Sequence, residues 1–348
     1  MRLVFVFALG MLLAGCGGPE DKEGVDTNAL NAAARSAEEG ASSTKLPPRP
    51  SIAEVAANEI DEVSIRESLA RLTGASPAPL SNGPTMIAER GSEEGRRAAA
   101  RYMEESFEAM GIPARILEFN SGARRGFNVE ATLEGTESEK HLWVTAHLDS
   151  VFNAGANDDA SGLVSILLTA RVLEQLNPKY TVHFVAYDLE EYDEFEEVSL
   201  EGSLRYVGSA VSDIREREGE GAIIGNLHSD MIGYDEGADL DAVLVTCGRA
   251  GPIDEAVLRA SEIIDSPITL DLSDECLHYS DHKHFWDAGL PAVLMIESTA
   301  EDDYNPWFHQ PGDTIDKINI PYLRSMIQLN AVAAALLAAP ESESRRPN

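Results

Sequence analysis

Cysteine and basic residues are scarce in this sequence of 348 residues. Three cysteines are too few for the disulfide framework that holds many small secreted proteins together. The 27 lysines and arginines are outnumbered by 60 aspartates and glutamates, which gives a formal net charge of −33. Because a surface this acidic repels nucleic-acid phosphates and anionic lipid headgroups, we expect no nucleic-acid partner and no electrostatic attachment to membranes.

Long apolar runs and two common catalytic motifs are also missing. Beyond the N-terminal segment, no stretch approaches the roughly 18 consecutive apolar residues of a transmembrane helix. The sequence contains neither a Gly-x-Ser-x-Gly element nor a phosphate-binding loop, so serine hydrolysis and nucleotide-dependent functions have no support. With 43% apolar and 25% charged residues, the chain has the composition of a soluble globular protein.

The N-terminus indicates targeting. Arg2 precedes an apolar run over residues 3–13, which is too short to span a bilayer and is typical of a secretion signal. A Leu-Ala-Gly-Cys sequence ending at Cys16 resembles the lipobox of bacterial lipoproteins. The resemblance implies acylation of Cys16 after cleavage and, because Gly17 replaces the aspartate of inner-membrane lipoproteins, an extracytoplasmic anchor in the outer membrane. The alternative is an ordinary cleavable signal with an incidental cysteine.

The chain divides into four parts by composition. We expect a signal peptide over residues 1–15 and a disordered tether over residues 16–50, which lack the aromatic and branched residues that would offset the entropy of ordering. Residues 51–340 form one predicted catalytic domain, and residues 341–348 form a C-terminal tail. We expect the membrane to be contacted only through the lipid on Cys16.

Short apolar runs alternate with longer helical patterns through the predicted domain. The runs that read as buried strands are residues 142–146, 181–187, 222–227, 242–246 and 292–296, after two less buried ones at 115–119 and 127–133. Helical spacing is found at residues 52–72, 89–110, 161–176, 253–264 and 322–337. This alternation predicts an α/β fold, with a mixed, largely parallel central β-sheet flanked by helices on both faces.

Imidazole and carboxylate groups follow three of the predicted strands. They are His147 and Asp149 after the first, Glu190 and Glu191 after the second, and Asp230 after the third. Open α/β sheets bind ligands beyond the carboxyl ends of their strands, so these groups are expected to meet at one edge. The Asp-Asp pair that begins at Asp158 opens a helix between the first two strands, and His309 lies in a late loop.

This set of side chains suits a pair of metal ions. Imidazole nitrogen and carboxylate oxygen satisfy Zn²⁺, which keeps a position for water when the protein supplies about three ligands. Two ions about 3.5–4 Å apart need a bridging carboxylate as well as terminal ligands. The two histidines and three carboxylates found here would supply one bridging ligand and two terminal ligands for each ion.

The chain resembles peptidase family M28, the zinc exopeptidases with two-metal sites. The motifs that carry the resemblance, in order from about residue 89 to residue 337, are His147-Leu148-Asp149-Ser150, Ala156-Asn157-Asp158-Asp159-Ala160-Ser161-Gly162, Glu190-Glu191, Asp230-Met231, Ser280-Asp281-His282 and Asp303-Tyr304-Asn305-Pro306 with His309. The resemblance implies the zinc-dependent exopeptidase fold, two Zn²⁺ per chain, peptide substrates and an aminopeptidase activity.

The resemblance also implies roles for single residues. Asp158 bridges the two ions, with two residues completing each site: His147 and Asp230 for one, Glu191 and His309 for the other. Asp149 orients the imidazole of His147, in agreement with the general preference of metal-bound histidines for a carboxylate partner.

Four further residues have implied roles beside these ligands. Glu190 is the general acid/base that takes a proton from the attacking water and delivers it to the leaving amine. Tyr279 is the candidate oxyanion donor, and Asp281 and His282 match a motif that lies behind the ligands.

Several alternatives stay open on the sequence. Glu196 and Glu197 stand closer to the Gly-Ser sequence that follows the acidic pair in the simplest members, and they are the alternative base and ligand. The same chemistry suits a carboxypeptidase or dipeptidase, a glutaminyl cyclase, or a non-catalytic binding relative. The sequence leaves open the side-chain preference, the metal in the cell, the oligomeric state and whether Cys247 pairs with Cys276.

Four of the remaining histidines are expected to be structural or exposed, and the fifth, His284, is expected to be incidental. The four are His141, His183, His228 and His278.

Overall fold

The computed structural model describes residues 51–137, 139–191, 199–236, 239–248, 251–300 and 304–338. The strands are β1 (Ala78–Leu80), β2 (Gly83–Thr85), β3 (Ala114–Ser121), β4 (Arg124–Leu133), β5 (His141–His147), β6 (Thr181–Tyr187), β7 (Ile223–Ser229), β8 (Asp241–Val245), β9 (Thr269–Ser273) and β10 (Ala292–Glu297). The α-helices are α1 (Ile52–Glu59), α2 (Glu62–Leu72), α3 (Glu93–Ala109), α4 (Ala160–Leu176), α5 (Glu201–Tyr206), α6 (Ser212–Glu218), α7 (Pro252–Ile264), α8 (Lys283–Asp287) and α9 (Ile320–Ala338).

Eight strands form one mixed sheet in the order β3-β4-β6-β5-β7-β10-β8-β9. The four central strands, β6, β5, β7 and β10, run parallel, whereas β4 and β8 pair antiparallel with the outer two of them. The predicted fold class, mixed and largely parallel, is therefore confirmed. Since β6, β5 and β7 are parallel neighbours, their carboxyl ends lie side by side.

Two apolar cores cover the two faces of this sheet. Side chains alternate along a strand, so Leu142 and Val144 of β5 face one core while Trp143 faces the other. The larger core packs the sheet against α1, α2, α3, α4, α7 and α9. The smaller core packs it against α5, α8 and the π-helical turn Val207–Val211.

Helix α9 is the most apolar of the long helices. Its length and mean hydropathy of 1.2 would allow a membrane span, but 67% of that window is buried inside the protein. Burial of this kind is typical of the core helix of a globular domain. The helix contacts α7 and α4 along its length.

The predicted elements agree with the structure in type and differ at some boundaries. The strand predicted over 181–187 is β6 without change, whereas the helix predicted over 52–72 is two helices. Asp61 ends the first of these by capping the second, since its carboxylate accepts hydrogen bonds from Val63 N and Ser64 N. The helix predicted from residue 89 starts at Glu93, and its N-cap is Ser92.

One covalent link was left open by the sequence. Cys247 and Cys276 form a disulfide that joins the loop after β8 to the segment before α8. The predicted signal peptide and tether, with Cys16, lie outside the described residues, as do the tail and the alternative pair Glu196 and Glu197.

Candidate metal centre

The carboxyl ends of three neighbouring strands supply most of the centre. His147 is the last residue of β5, Asp230 directly follows β7, and Glu190 and Glu191 follow β6 after a two-residue turn. Asp158 stands two residues before α4, whose N-cap is Asp159. These positions hold the side chains at or next to the ends of regular elements, where their spacing is fixed more precisely than on free loops.

The five predicted ligands come together in two sets that share Asp158. In the first set, His147 Nε2 lies 2.9 Å from Asp158 Oδ1 and 3.4 Å from Asp230 Oδ1. In the second set, His309 Nε2 lies 3.0 Å from Glu191 Oε2 and 3.3 Å from Asp158 Oδ2. Within each set, one ligand atom from every residue lies within 4.8 Å of the others.

The donors in these sets fit a pair of zinc ions. Each set offers one imidazole nitrogen and two carboxylate oxygens, which leaves a position for a water or a substrate. Asp158 Oδ2 and Asp230 Oδ1 are buried and have no hydrogen-bond donor. Buried carboxylate oxygens without a donor are costly unless a cation pairs with them, so a divalent ion would compensate for their burial.

The raised pKa of His147 in the first set also indicates that this point suits a cation. Burial opposes protonation of His147, but the nearby carboxylates of Asp230 and Glu190 outweigh it and raise the pKa of the imidazole well above its ordinary value. A protonated imidazole cannot bind a metal ion. Because zinc binding displaces protons from its ligands, a cation at this point would take the place of the proton.

In the second set, the pKa values of His309 and Glu191 are also raised. Burial lowers the pKa of His309, but the nearby carboxylates of Asp158 and Glu191 raise it to about 10. Burial and then the charge of Asp158 raise the pKa of Glu191 to about 7. The side chain of His309 is 40% exposed, so this set opens toward solvent.

Asp149 links the imidazole ligand to the acidic pair. Its Oδ1 accepts a hydrogen bond from Glu190 N at 3.0 Å, and its Oδ2 accepts one from Glu191 N at 3.2 Å. The same Oδ1 lies 3.7 Å from His147 Nδ1, which is beyond hydrogen-bond distance. Asp149 therefore fixes the backbone of the acidic pair and stands next to the imidazole.

Glu190 lies buried beside these groups. Burial, and then the charges of Asp230 and Glu191 against that of His147, raise the pKa of its carboxyl group well above the ordinary value. Its side chain lines the same cavity as Asp158 and His309.

Two acids that hold the centre were not anticipated from the sequence. Asp313 accepts hydrogen bonds from Asn157 N at 2.8 Å and Asp158 N at 3.1 Å. Glu297 accepts from the side-chain amides of Asn157 and Asn305 at 2.9 to 3.1 Å. The local signals are weak: Asp313 shares the segment of His309, and Asn305 lies eight residues after Glu297. The bonds of both acids to the segment of Asp158 span 140 residues or more.

The other predicted site residues lie around the centre. Tyr279 is 82% exposed and lines the cavity. Asp281 is buried, and burial raises the pKa of its carboxyl group to about 8. His282 Nε2 donates to Leu277 O at 2.8 Å, and its ring packs edge-on against Trp286.

A cavity of about 360 Å³ opens above the ligands. Its apolar wall consists of Met231, Val243, Val245, Leu277, Leu294, Ile296 and Phe308, together with the ring of Tyr279. Several of these come from β8 and β10, so much of the wall lies on strands that carry no metal ligand. The charged residues among the lining are those of the metal centre itself.

The strand-end carboxylates and imidazoles, the shared aspartate and the adjoining apolar cavity are the features of a metal-dependent hydrolase site. The family model of "Peptidase family M28" matches residues 128–334, which include all five ligands. The chain therefore belongs to peptidase family M28.

Known relatives agree with this assignment. Aminopeptidase YwaD of Bacillus subtilis (strain 168) is 31% identical over 208 residues, or 59% of this chain. The match spans only 42% of the length of that relative.

Solved structures share the fold. A zinc aminopeptidase from Bacillus subtilis superposes with a TM-score of 0.68 over 82% of this chain and 97% of its own, at 16% identity. The glutaminyl cyclase of Bacteroides thetaiotaomicron superposes with a TM-score of 0.60 over 79% of this chain and 98% of its own, at 19% identity. At these identities the likeness shows the common fold alone.

Proposed function

We propose that this chain is a zinc-dependent aminopeptidase that hydrolyses the N-terminal peptide bond of peptides. The observation that carries the proposal is the pair of ligand sets that share Asp158 at the floor of the cavity. Membership of family M28 and the printed name of the Bacillus relative support it.

Two zinc ions would be held by the two sets. His147, Asp158 and Asp230 form one ligand set, and Asp158, Glu191 and His309 form the other. When bound, zinc acts as a Lewis acid that polarises a carbonyl oxygen and makes water a nucleophile at neutral pH. Asp149 holds the backbone of Glu191 and lies beside His147, so it supports one ligand of each set.

Glu190 is the proposed general acid/base. It faces the same cavity as the ligands, and the bond from its own N–H to Asp149 fixes its backbone. A carboxylate at this position accepts the proton of the water that attacks the scissile carbonyl and returns it to the leaving amine. Tyr279, which is exposed at the cavity, is the proposed donor to the carbonyl oxygen.

The apolar wall sets the proposed side-chain preference. Val243, Val245, Leu294 and Ile296 offer aliphatic surface and no charge to the N-terminal side chain of a substrate. Burial of such a side chain is worth roughly 1.5–3 kcal/mol, whereas an uncompensated charge there would be strongly disfavoured. We expect Leu, Met and Phe to be preferred over Asp, Glu and Lys.

We also propose that Cys16 carries a lipid that anchors the chain outside the cytoplasm, in a bacterial outer membrane. The lipobox-like sequence supports this, and the disulfide between Cys247 and Cys276 suits an oxidising compartment. Metabolic labelling with a fatty acid tests the proposal. Cys16→Ser should lose the label, and equal labelling of this variant would refute the anchor.

A pool of short peptides tests the activity. The purified full chain is incubated with free and N-acetylated peptides, with and without a chelator, and the products are read by mass spectrometry. We expect stepwise loss of apolar N-terminal residues from the free peptides, which the chelator abolishes.

Other products would replace the proposal by a named alternative. C-terminal trimming would indicate a carboxypeptidase, and loss of ammonia from peptides that begin with Gln would indicate a glutaminyl cyclase. No zinc-dependent product at all would contradict a catalytic role on peptides.

A further inference from the structure

Arg90 is completely buried, although arginine carries a full positive charge and is almost never fully buried unless it is paired. It lies between β2 and α3, in a segment that none of the proposed catalytic steps uses. Arginine has five N–H donors and no acceptor. A buried guanidinium is costly unless every donor is satisfied, so its partners indicate why it is there.

All five donors of Arg90 are used by backbone carbonyls. Nε donates to Leu148 O at 2.8 Å. Nη1 donates to Leu72 O at 3.0 Å and to Ala154 O at 2.8 Å. Nη2 donates to Gly155 O at 2.8 Å and to Asp158 O at 3.4 Å. The side chain thus joins the end of α2 to two segments of the metal centre.

Those two segments carry two of the three ligands of the first set, His147 and Asp158. Leu148 stands between His147 and Asp149, and its own N–H is already held by Tyr187 O at 2.5 Å. The bond to Arg90 fixes the next peptide group, which joins Leu148 to Asp149. The second segment, residues 154–158, ends at the shared ligand Asp158, so one planar side chain sets the spacing between two ligand-bearing backbones.

The loop and the guanidinium fit closely. Gly155 has φ +55, and a Cβ atom at that position would lie only 2.7 Å from Arg90 Nη2. The backbone of Arg90 is held as well, because its N–H donates to Ser150 Oγ at 3.1 Å and its carbonyl accepts from Ser150 N at 3.4 Å. The guanidinium therefore has little freedom to move relative to the ligands.

We infer that Arg90 is a positioning residue of the metal centre, which holds His147 and Asp158 at the separation that the first zinc ion requires. It acts through the backbone of both segments and touches no ligand atom. The inference rests on the proposed metal centre but not on the identity of the substrate. Residues that support metal ligands from behind typically change metal affinity by about 10- to 100-fold when they are replaced.

The test compares Arg90→Lys and Arg90→Gln with Arg324→Lys in the full chain. Lysine keeps the charge but has three donors on one nitrogen and no planar fork, and glutamine has two donors. Arg324 is the matched control, since it also donates to backbone carbonyls, Ile60 O at 2.8 Å and Ala57 O at 3.4 Å, at the end of α1.

Metal binding is the readout, and hydrolysis is not needed. Zinc affinity and stoichiometry are measured by competition with a chromophoric chelator, and the geometry of the site by the visible spectrum of the Co²⁺ form. Thermal unfolding of the metal-free proteins reports the fold. We expect both Arg90 variants to bind zinc about 10- to 100-fold more weakly with an altered cobalt spectrum, and Arg324→Lys to change neither.

Three results would overturn the inference or its basis. Wild-type zinc affinity and an unchanged cobalt spectrum in Arg90→Lys would refute it, and so would Arg90 variants that do not fold with or without zinc, because Arg90 would then serve the fold alone. A wild-type chain that binds no zinc would refute the proposed function itself. A chain that binds zinc but cleaves no peptide would refute only the aminopeptidase.

Discussion

The two ends of the central sheet carry similar side chains and use them differently. At the carboxyl end, His147 and His309 meet three carboxylates. Toward the amino ends of β5 and β6, His141 and His183 meet Glu130 and Glu218, and both histidines are buried. Composition alone does not distinguish these clusters, so the difference must lie in how their atoms are arranged.

The amino-end cluster is a line of pairs. Glu218 Oε2 lies 3.0 Å from His141 Nε2, His141 Nδ1 lies 2.9 Å from His183 Nε2, and His183 Nδ1 lies 3.4 Å from Glu130 Oε1. Each ring nitrogen therefore has its own near partner, and the ring of Trp143 stacks on His183. Within the described ranges, convergence of three ligand atoms is found at the carboxyl end. The candidate metal centre is therefore distinguished by three ligand atoms that lie close to one another, and not by the types of residue it contains.

Replacement of one glutamate at each end of the sheet should give the largest difference in kcat between two variants. Glu190→Gln removes the proposed general base, so we expect kcat to fall about 10²- to 10⁴-fold while the zinc content stays unchanged. Glu130→Gln at the other end should leave kcat near its wild-type value. Steady-state kinetics with metal analysis checks both, and full activity in Glu190→Gln would transfer the role to another group, such as Glu196.

Exchange of one histidine at each end should separate metal binding from stability. His147→Ala removes a ligand, and we expect zinc to bind that set roughly 100-fold more weakly or not at all, since each set has few ligands to spare. His183→Ala should keep the zinc content and lose about 1–3 kcal/mol of unfolding free energy through unpaired buried partners. Loss of zinc in His183→Ala would remove the distinction between the two clusters.

The smallest expected effect is a pH dependence at the amino end. Burial raises the pKa of Glu130, but hydrogen bonds from His183, Tyr206 and Arg115 outweigh it and lower that pKa to about 2. Since the pKa is lower in the folded protein, the ionised carboxylate stabilises the fold above about pH 4.5, and this contribution is lost as the pH falls toward 2.

Urea unfolding of wild type and Glu130→Gln at several pH values measures this contribution. The difference in unfolding free energy between them should narrow between pH 6 and pH 3. Glu118→Gln, which affects an exposed pair with Arg125, should show little effect at any pH. A constant difference for Glu130→Gln would contradict the role assigned to its charge.

The sequence predicts the fold where strands are wholly buried. Residues 181–187 are buried throughout, so their apolar run has sharp limits and β6 was predicted without error. Strand β9 was missed because only part of it is apolar and most of its side chains face outward. The short hairpin formed by β1 and β2 was also not predicted, because each strand contains a proline and proline is uncommon within strands.

The convergence of the candidate ligands could be predicted from the sequence, whereas the residues that support them could not. His147, Asp158 and Glu191 follow strands or open a helix, and such positions leave a local pattern in the sequence. Arg90 acts on carbonyls of the metal centre that are 58 to 68 residues away, and Asp313 acts on backbone N–H groups 155 to 156 residues away. These partners follow from the folded topology alone. No side-chain pattern near Arg90 specifies which carbonyls it will meet.

The position of α9 has a consequence for the order of folding. This helix packs against α1 and α2, the first two helices of the described residues, and Arg324 donates to the carbonyls that end α1. Its final carbonyl, Ala338 O, accepts hydrogen bonds from Lys179 N and Tyr180 N at the start of β6. Contacts this distant in sequence form late, because long loops must close first. The larger core therefore cannot be completed until residues 320–338 have been synthesised, and α1 and α2, which emerge earlier, gain these contacts only after α9 has formed.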